Sequence, residues 1–235
     1  MKKFTAIFST FFVMIALVMI SASAFPEQVR MVALGDSITF GTGDPQKLGY
    51  IGRFSAKYEA DNGRSITISN FGIPKYTTND TLQQLKGEHV RRSLTAAQYI
   101  ILYIGTNDFR VCADYKFGDL QNEKMNRGKQ RFSDNLNKIL TEIRSENDTA
   151  PIVVLGLYHP YTQYKNDQQI YATINDWNKE IYDCTTKYER TIFVPTADLF
   201  FDKPKQSCFS DSLHLNGYGY ELMANRLLET FKSIE

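Results

Sequence analysis

Val29-Arg30-Met31-Val32-Ala33-Leu34-Gly35-Asp36-Ser37 is the stretch on which the fold turns. Its first six residues are apolar except for Arg30, with the Val and Leu content of a β-strand. The strand stops at once in Gly35-Asp36-Ser37, and Gly41 and Gly43 follow in the same turn. A serine past the end of a strand presents its hydroxyl to a ligand, beside backbone N–H groups that lack partners. Taken alone, Gly-Asp-Ser is equally a plain turn, because its residues favour turns anyway.

Outward from this strand the rhythm repeats. Ser65 to Asn70 reads as a second strand, Tyr99 to Ile104 as a third, Ile152 to Leu157 as a fourth and Thr191 to Val194 as a fifth. The third and fourth are nearly continuous apolar runs, as in parallel strands covered on both faces. Helical patterns fill the gaps at Tyr50 to Glu59, Thr78 to Lys86, Gln130 to Ser145 and Ile170 to Tyr188, and a last one, Gly219 to Phe231, closes the chain. In Gln130 to Ser145, Phe132, Leu136, Ile139, Leu140 and Ile143 keep one apolar face. This alternation predicts one α/β domain, with a parallel sheet, right-handed crossovers and helices on both sides. Two loops, 109–126 and 158–168, leave C-terminal strand ends, the edge where open α/β sheets bind ligands. Their aromatics (Phe109, Tyr115, Phe117, Tyr158, Tyr161 and Tyr164) either line a substrate groove or pack onto the domain.

Residues 1–24 are set apart from the fold. Lys2 and Lys3 precede an apolar run, and Ser21-Ala22-Ser23-Ala24 supplies the small residues of a signal-peptidase site. Cleavage after Ala24 predicts an exported, extracytoplasmic protein of residues 25–235 with no remaining membrane span; the competing reading is an uncleaved anchor. The remaining 211 residues carry 25 basic against 26 acidic side chains, which gives no electrostatic case for nucleic acid as partner. Cys112, Cys184 and Cys208 lack zinc-ligand spacing, so no metal is expected. Export permits a disulfide, and Cys112 with Cys208 is the pair whose loops lie near the candidate site.

Three further segments give Ser37 a chemical context. Asp211 stands three residues before His214, close enough to hold one imidazole nitrogen while the other faces a serine. A lone histidine before a C-terminal helix is otherwise a surface or capping residue; His89 and His159 have no comparable carboxylate, although His159 leaves the fourth strand toward the same edge. Asn107, just past the third strand, has an amide that donates. Gly72, past the second, lets its N–H approach a ligand. With the Ser37 N–H these make three donors for a tetrahedral oxyanion.

Gly35-Asp36-Ser37, Asn70-Phe71-Gly72, Gly105-Thr106-Asn107-Asp108 and Asp211-Ser212-Leu213-His214, in that order, resemble the four blocks of the SGNH (GDSL) hydrolase family. The resemblance spans the mature chain. It implies a flavodoxin-like three-layer α/β/α sandwich on a five-stranded parallel sheet, and ester hydrolysis without a metal or other cofactor. It also implies Ser37 as nucleophile, His214 as base then acid, Asp211 as its orienting partner, and Ser37, Gly72 and Asn107 as the oxyanion hole. The Gly-x-Ser-x-Gly elbow of α/β-hydrolases is absent, and Ile38 stands where the first block often carries leucine.

The expected function is an exported serine esterase or lipase acting through an acyl-enzyme on a small-molecule, lipid or acylated-sugar ester. A carbohydrate O-acetylesterase of the cell envelope is the alternative. Chain length of the acyl group separates them: a lipase needs an apolar channel, an acetylesterase a small pocket and an aromatic sugar platform. A non-catalytic binding protein on the same fold would lack one of the named residues, and none is missing. A flavodoxin-like nucleotide binder would want a phosphate loop, which Gly41-Thr42-Gly43 does not supply.

Overall fold

The computed structural model describes residues 28–234, so the expected signal segment 1–24 lies outside the described residues. All five predicted strands are present: β1 Val29–Gly35, β2 Ile66–Gly72, β3 Tyr99–Tyr103, β4 Ile152–Leu155 and β5 Thr191–Val194. They form one parallel sheet in the order β2-β1-β3-β4-β5. The order reverses at β1: the chain steps to β2 on one side, then returns to β3 on the other. Ligands of open α/β sheets bind in the crevice at such a switch point. Here it lies beyond Gly35, which pairs with both Gly72 and Tyr103.

Nine α-helices are described: α1 Ser37–Phe40, α2 Gly49–Asn62, α3 Thr78–Gln84, α4 Glu88–Thr95, α5 Thr106–Cys112, α6 Asn122–Glu146, α7 Asp167–Thr185, α8 Lys205–Cys208 and α9 Gly217–Ile234. α2 packs on α9, joined by Phe54 and Phe231 at 4.8 Å between ring centroids, with Tyr99 of β3 against the same ring at 4.9 Å. A second group, α3, α4, α5 and α7, packs around α6. With helices in both groups, β3 and β4 are buried almost end to end, as their apolar runs predict. Among the described residues no helix is long and apolar enough to cross a membrane.

Two sequence expectations are corrected. The predicted 109–126 loop is half helical: Phe109 to Cys112 belong to α5, and α6 starts at Asn122, eight residues before the predicted Gln130. The helix continues through Gly128 because that glycine faces α5, where a Cβ would stand 2.0 Å from Cys112 Sγ. The permitted Cys112–Cys208 bond is also not formed. All three cysteines are buried free thiols, with Cys112 occupied by its packing against α6.

Candidate active site

β1 ends at Gly35, and the chain turns into the single helical turn α1. Asp36 caps that turn, its Oδ1 accepting the Ile38 N–H at 2.9 Å. Ser37 is therefore the first helical residue, so its N–H has no intrahelical acceptor. Its side chain is almost fully buried, yet 177 residues later in sequence His214 reaches it: Nε2 lies 3.1 Å from Ser37 Oγ. On the far side of the imidazole, Nδ1 lies 2.7 Å from Asp211 Oδ2.

The turn that carries this pair is held at nearly every peptide. Asp211 Oδ1 accepts the N–H groups of Leu213 and His214, both at 2.7 Å. The Ser212 carbonyl accepts from Lys205 Nζ at 2.9 Å, and the Leu213 carbonyl from the buried Tyr158 hydroxyl at 2.9 Å. The Ser210 N–H donates to the His214 carbonyl at 2.9 Å. Burial works to raise the Asp211 carboxyl, but its bonds from the His214 ring and from the His214 and Leu213 N–H groups outweigh that and keep it below the ordinary range. The carboxylate is thus charged and aimed at one imidazole nitrogen, while the other meets a hydroxyl.

The proposed oxyanion donors need a finer reading. Asn107 is buried at the start of α5, and its Nδ2 donates to the Tyr76 carbonyl at 2.9 Å. That bond uses one amide hydrogen and fixes the plane, leaving the second. Gly72 packs hard against α1: a Cβ there would lie 2.5 Å from Phe40 N. Its N–H, however, donates to Asn70 Oδ1 at 2.9 Å, and Asn70 Nδ2 donates to the Thr39 carbonyl. A substrate oxyanion has to share or take over that N–H.

Asp36 is wholly buried; burial drives its carboxyl up to about 7, the Ile38 N–H opposes this, and the nearby Asp108 charge adds to it. Asp108 itself ties α5 to α3, accepting from the Thr78 N–H at 2.9 Å and from the Thr78 hydroxyl. Asp44 organises the turn after α1, taking the N–H groups of Gln46, Leu48 and Gly49 and an ion pair to Arg53 at 2.9 Å.

Sequence reading missed Tyr158 and Lys205 as supports of the histidine turn, and Asp44 as the centre of its loop. Of the loop aromatics, Phe109, Phe117, Tyr158 and Tyr161 are buried, with Phe117 and Tyr161 stacked at 3.8 Å. The space that Phe109, Tyr158 and Tyr161 leave beside Thr106 is only about 10 Å³, no more than one water can fill. His89 meets Phe71 edge-on, with ring centroids 5.3 Å apart.

A family model described as the GDSL-like Lipase/Acylhydrolase family matches residues 33–222. YpmR of Bacillus subtilis (strain 168) is 30% identical over 210 residues, covering 88% of this chain and 82% of its own length. An isoamyl acetate-hydrolyzing esterase of Schizosaccharomyces pombe (strain 972 / ATCC 24843) is 24% identical, over 86% of this chain and 74% of that one. Among solved structures, the lipase Lip_vut3 from a goat rumen metagenome superposes with a TM-score of 0.74 at 20% identity, over 85% of this chain and 95% of that one, a likeness of fold.

Proposed function

Because the chain belongs to the GDSL-like lipase/acylhydrolase family and is an ester-bond hydrolase, we propose that it is a serine esterase for short acyl groups, with Ser37, His214 and Asp211 as its triad. The observation that carries this reading is the relay of 3.1 Å and 2.7 Å contacts from Ser37 Oγ through His214 to Asp211. His214 Nε2 takes the Ser37 proton as Oγ attacks the ester carbonyl. Asp211 keeps the other imidazole N–H oriented and stabilises the imidazolium. The oxyanion draws on the Ser37 N–H, the second Asn107 amide hydrogen and the Gly72 N–H shared with Asn70. His214 then protonates the departing alcohol. Water, activated by the same nitrogen, attacks the acyl carbon and frees Ser37.

Acyl size follows from packing. A long chain needs an apolar channel, and three of the aromatics expected to line one, Phe109, Tyr158 and Tyr161, are instead packed together beside Thr106. The yeast relative's name, with an acetate ester as substrate, agrees with a short acyl group. The test is a p-nitrophenyl series from acetate to palmitate, with wild type beside Ser37→Ala. Turnover should peak at acetate or butyrate and vanish in the variant. An optimum at long chains sinks the short-acyl assignment, and activity retained in Ser37→Ala sinks the nucleophile. Export through residues 1–24 belongs to the same proposal and is tested by N-terminal sequencing of protein recovered outside the cytoplasm.

A further inference from the structure

The side-chain amide of Asn107 is gripped at both ends. Its Nδ2 donates to the Tyr76 carbonyl at 2.9 Å, and its Oδ1 faces Arg110 Nη1 at 3.5 Å. The two contacts specify the same orientation. Turned over, the amide would set its oxygen against the Tyr76 carbonyl and its NH2 against a cation, and both meetings are repulsive. Arg110 stands three residues after Asn107 on α5, so the helix itself brings the guanidinium over the amide. A separation of 3.5 Å is the outer limit of a hydrogen bond. What acts across it is chiefly the field of a full positive charge on the C=O dipole.

That charge is not neutralised elsewhere. Among the described residues no carboxylate lies within ion-pair distance of the Arg110 guanidinium, and its Nε is out of water without a hydrogen-bond partner. An aromatic face holds the side chain instead: Arg110 Cζ lies 5.1 Å from the centroid of the Tyr115 ring. The backbone is bent to put that ring in place. Asp114 and Tyr115 have φ of 48° and 58°, left-handed conformations that are strained for a bulky aromatic. The Tyr115 N–H then donates to the Arg110 carbonyl at 3.0 Å, closing the chain back onto α5. Tyr115 stays mostly exposed, so burial in the core does not account for the strain.

We propose that Arg110 is a positioning residue for the oxyanion hole: it locks the Asn107 amide in one orientation and polarises it, so that the second Nδ2 hydrogen is a stronger donor already aimed. The inference rests on the serine-esterase reading above, in which Asn107 supplies that donor. A cation at the oxygen end of an amide draws electron density from its nitrogen, and linked hydrogen-bonding groups strengthen one another in this way. The gain is largest when the substrate oxygen carries negative charge, so it belongs to kcat rather than to KM. Asp36 lies in the same field: burial raises its carboxyl, and the Arg110 charge is a minor influence in the other direction. The test has to separate these two routes.

Turnover of p-nitrophenyl acetate is measured for wild type, Arg110→Met, Asn107→Ala and the double variant. Methionine keeps much of the aliphatic stem and removes the charge; Arg110→Gln takes its place if methionine disturbs the fold. Arg110→Met should lower kcat by about tenfold, the low end for a hydrogen bond to a charged group, with KM nearly unchanged. It should cost nothing further once Asn107 is alanine. A second readout needs no turnover. The Asn107 side-chain NH2 resonances, identified by their loss in Asn107→Ala, should move in the NMR spectrum of Arg110→Met while far-UV circular dichroism stays native. Unchanged kcat in Arg110→Met, beside a fall in Asn107→Ala, overturns the inference and leaves the esterase reading intact. A loss of equal size in both backgrounds also overturns it, since Arg110 would then act through Asp36 or on the substrate, and so does a loss confined to KM. If wild type cleaves no ester, the esterase reading falls; resonances that move still show the hold of Arg110 on the amide, and resonances that do not move remove it.

Discussion

Asp36 holds its carboxyl out of water directly before Ser37, one oxygen on the Ile38 N–H and the other without a hydrogen-bond partner among the described residues. In the unfolded chain such a group ionises near pH 4, whereas burial delays it to about 7 in the folded one. Between those values the unfolded state has already given up its proton and the folded state has not. The contribution of Asp36 to stability is therefore greatest below pH 4 and declines as pH rises toward 7. Asp36→Asn keeps an acceptor for Ile38 and removes the titration. It should be more stable than wild type at pH 8, by up to about 4 kcal/mol on the scale of 1.36 kcal/mol per unit, with the difference shrinking toward pH 4. Urea unfolding of both proteins at pH 4, 6 and 8 checks this; a constant difference would sink it. Asn107 is the other residue whose role reduces to single atoms. Asn107→Ala removes one donor and should lower kcat by about two to three orders of magnitude, the usual cost of an oxyanion-hole contact. A loss under threefold on p-nitrophenyl acetate would remove it from the hole.

At the scale of elements, the turn between α1 and α2 has to fit against the turn that carries His214, and Gly43 is where they meet. Its φ is +91°, and a Cβ there would lie 2.2 Å from Ser210 Oγ, 2.6 Å from the Leu215 carbonyl and 3.1 Å from His214 Cβ. Gly43→Ala must push the histidine turn away from Ser37. A displacement near 1 Å costs about a hundredfold in rate, so kcat should fall by that much while far-UV circular dichroism stays native; wild-type kcat in the variant would count against the fit. The same contact shows what sequence could and could not reveal. Gly43 was legible as a turn residue, but its partners, Ser210 to Leu215, lie more than 160 positions away. Strands were readable because β3 and β4 are continuous apolar runs. α4 was not, because Glu88-His89-Val90-Arg91-Arg92-Ser93-Leu94-Thr95 has only two apolar side chains, Val90 and Leu94, and a single i, i+4 pair in eight residues does not stand out from a solvated stretch. The start of α6 was hidden by Gly128, whose tolerance depends on Cys112 across a helix interface. Ser37, Asp211 and His214 stood out by residue type and spacing. Tyr158 and Lys205 did not, since each acts through a backbone carbonyl that only the folded chain brings within reach.

Across the whole molecule, the proposed reacting pair joins the two ends of the domain: Ser37 follows the first strand and His214 precedes the last helix. Three residues after His214 the chain enters α9, which is seated on α2, so the 3.1 Å contact and that packing lie next to each other in the chain. Phe231 is the pin. It is fully buried, with Phe54 at 4.8 Å, Tyr99 at 4.9 Å and Tyr58 at 6.3 Å between ring centroids, so it ties α9 to α2 and β3 at once. Phe231→Ala removes a large ring from a close-packed site and should cost about 3–5 kcal/mol. Because one core spans both faces of the sheet, that loss belongs to the entire fold rather than to a fraying helix. The variant should lose ester hydrolysis and far-UV ellipticity at the same urea concentration, with the midpoint lowered and the slope kept. Below that transition its kcat should match wild type, since Phe231 touches none of the reacting residues. Activity lost well before ellipticity would mean that α9 detaches alone, and that the histidine turn is held by Lys205 and Tyr158 too weakly to keep its register without it.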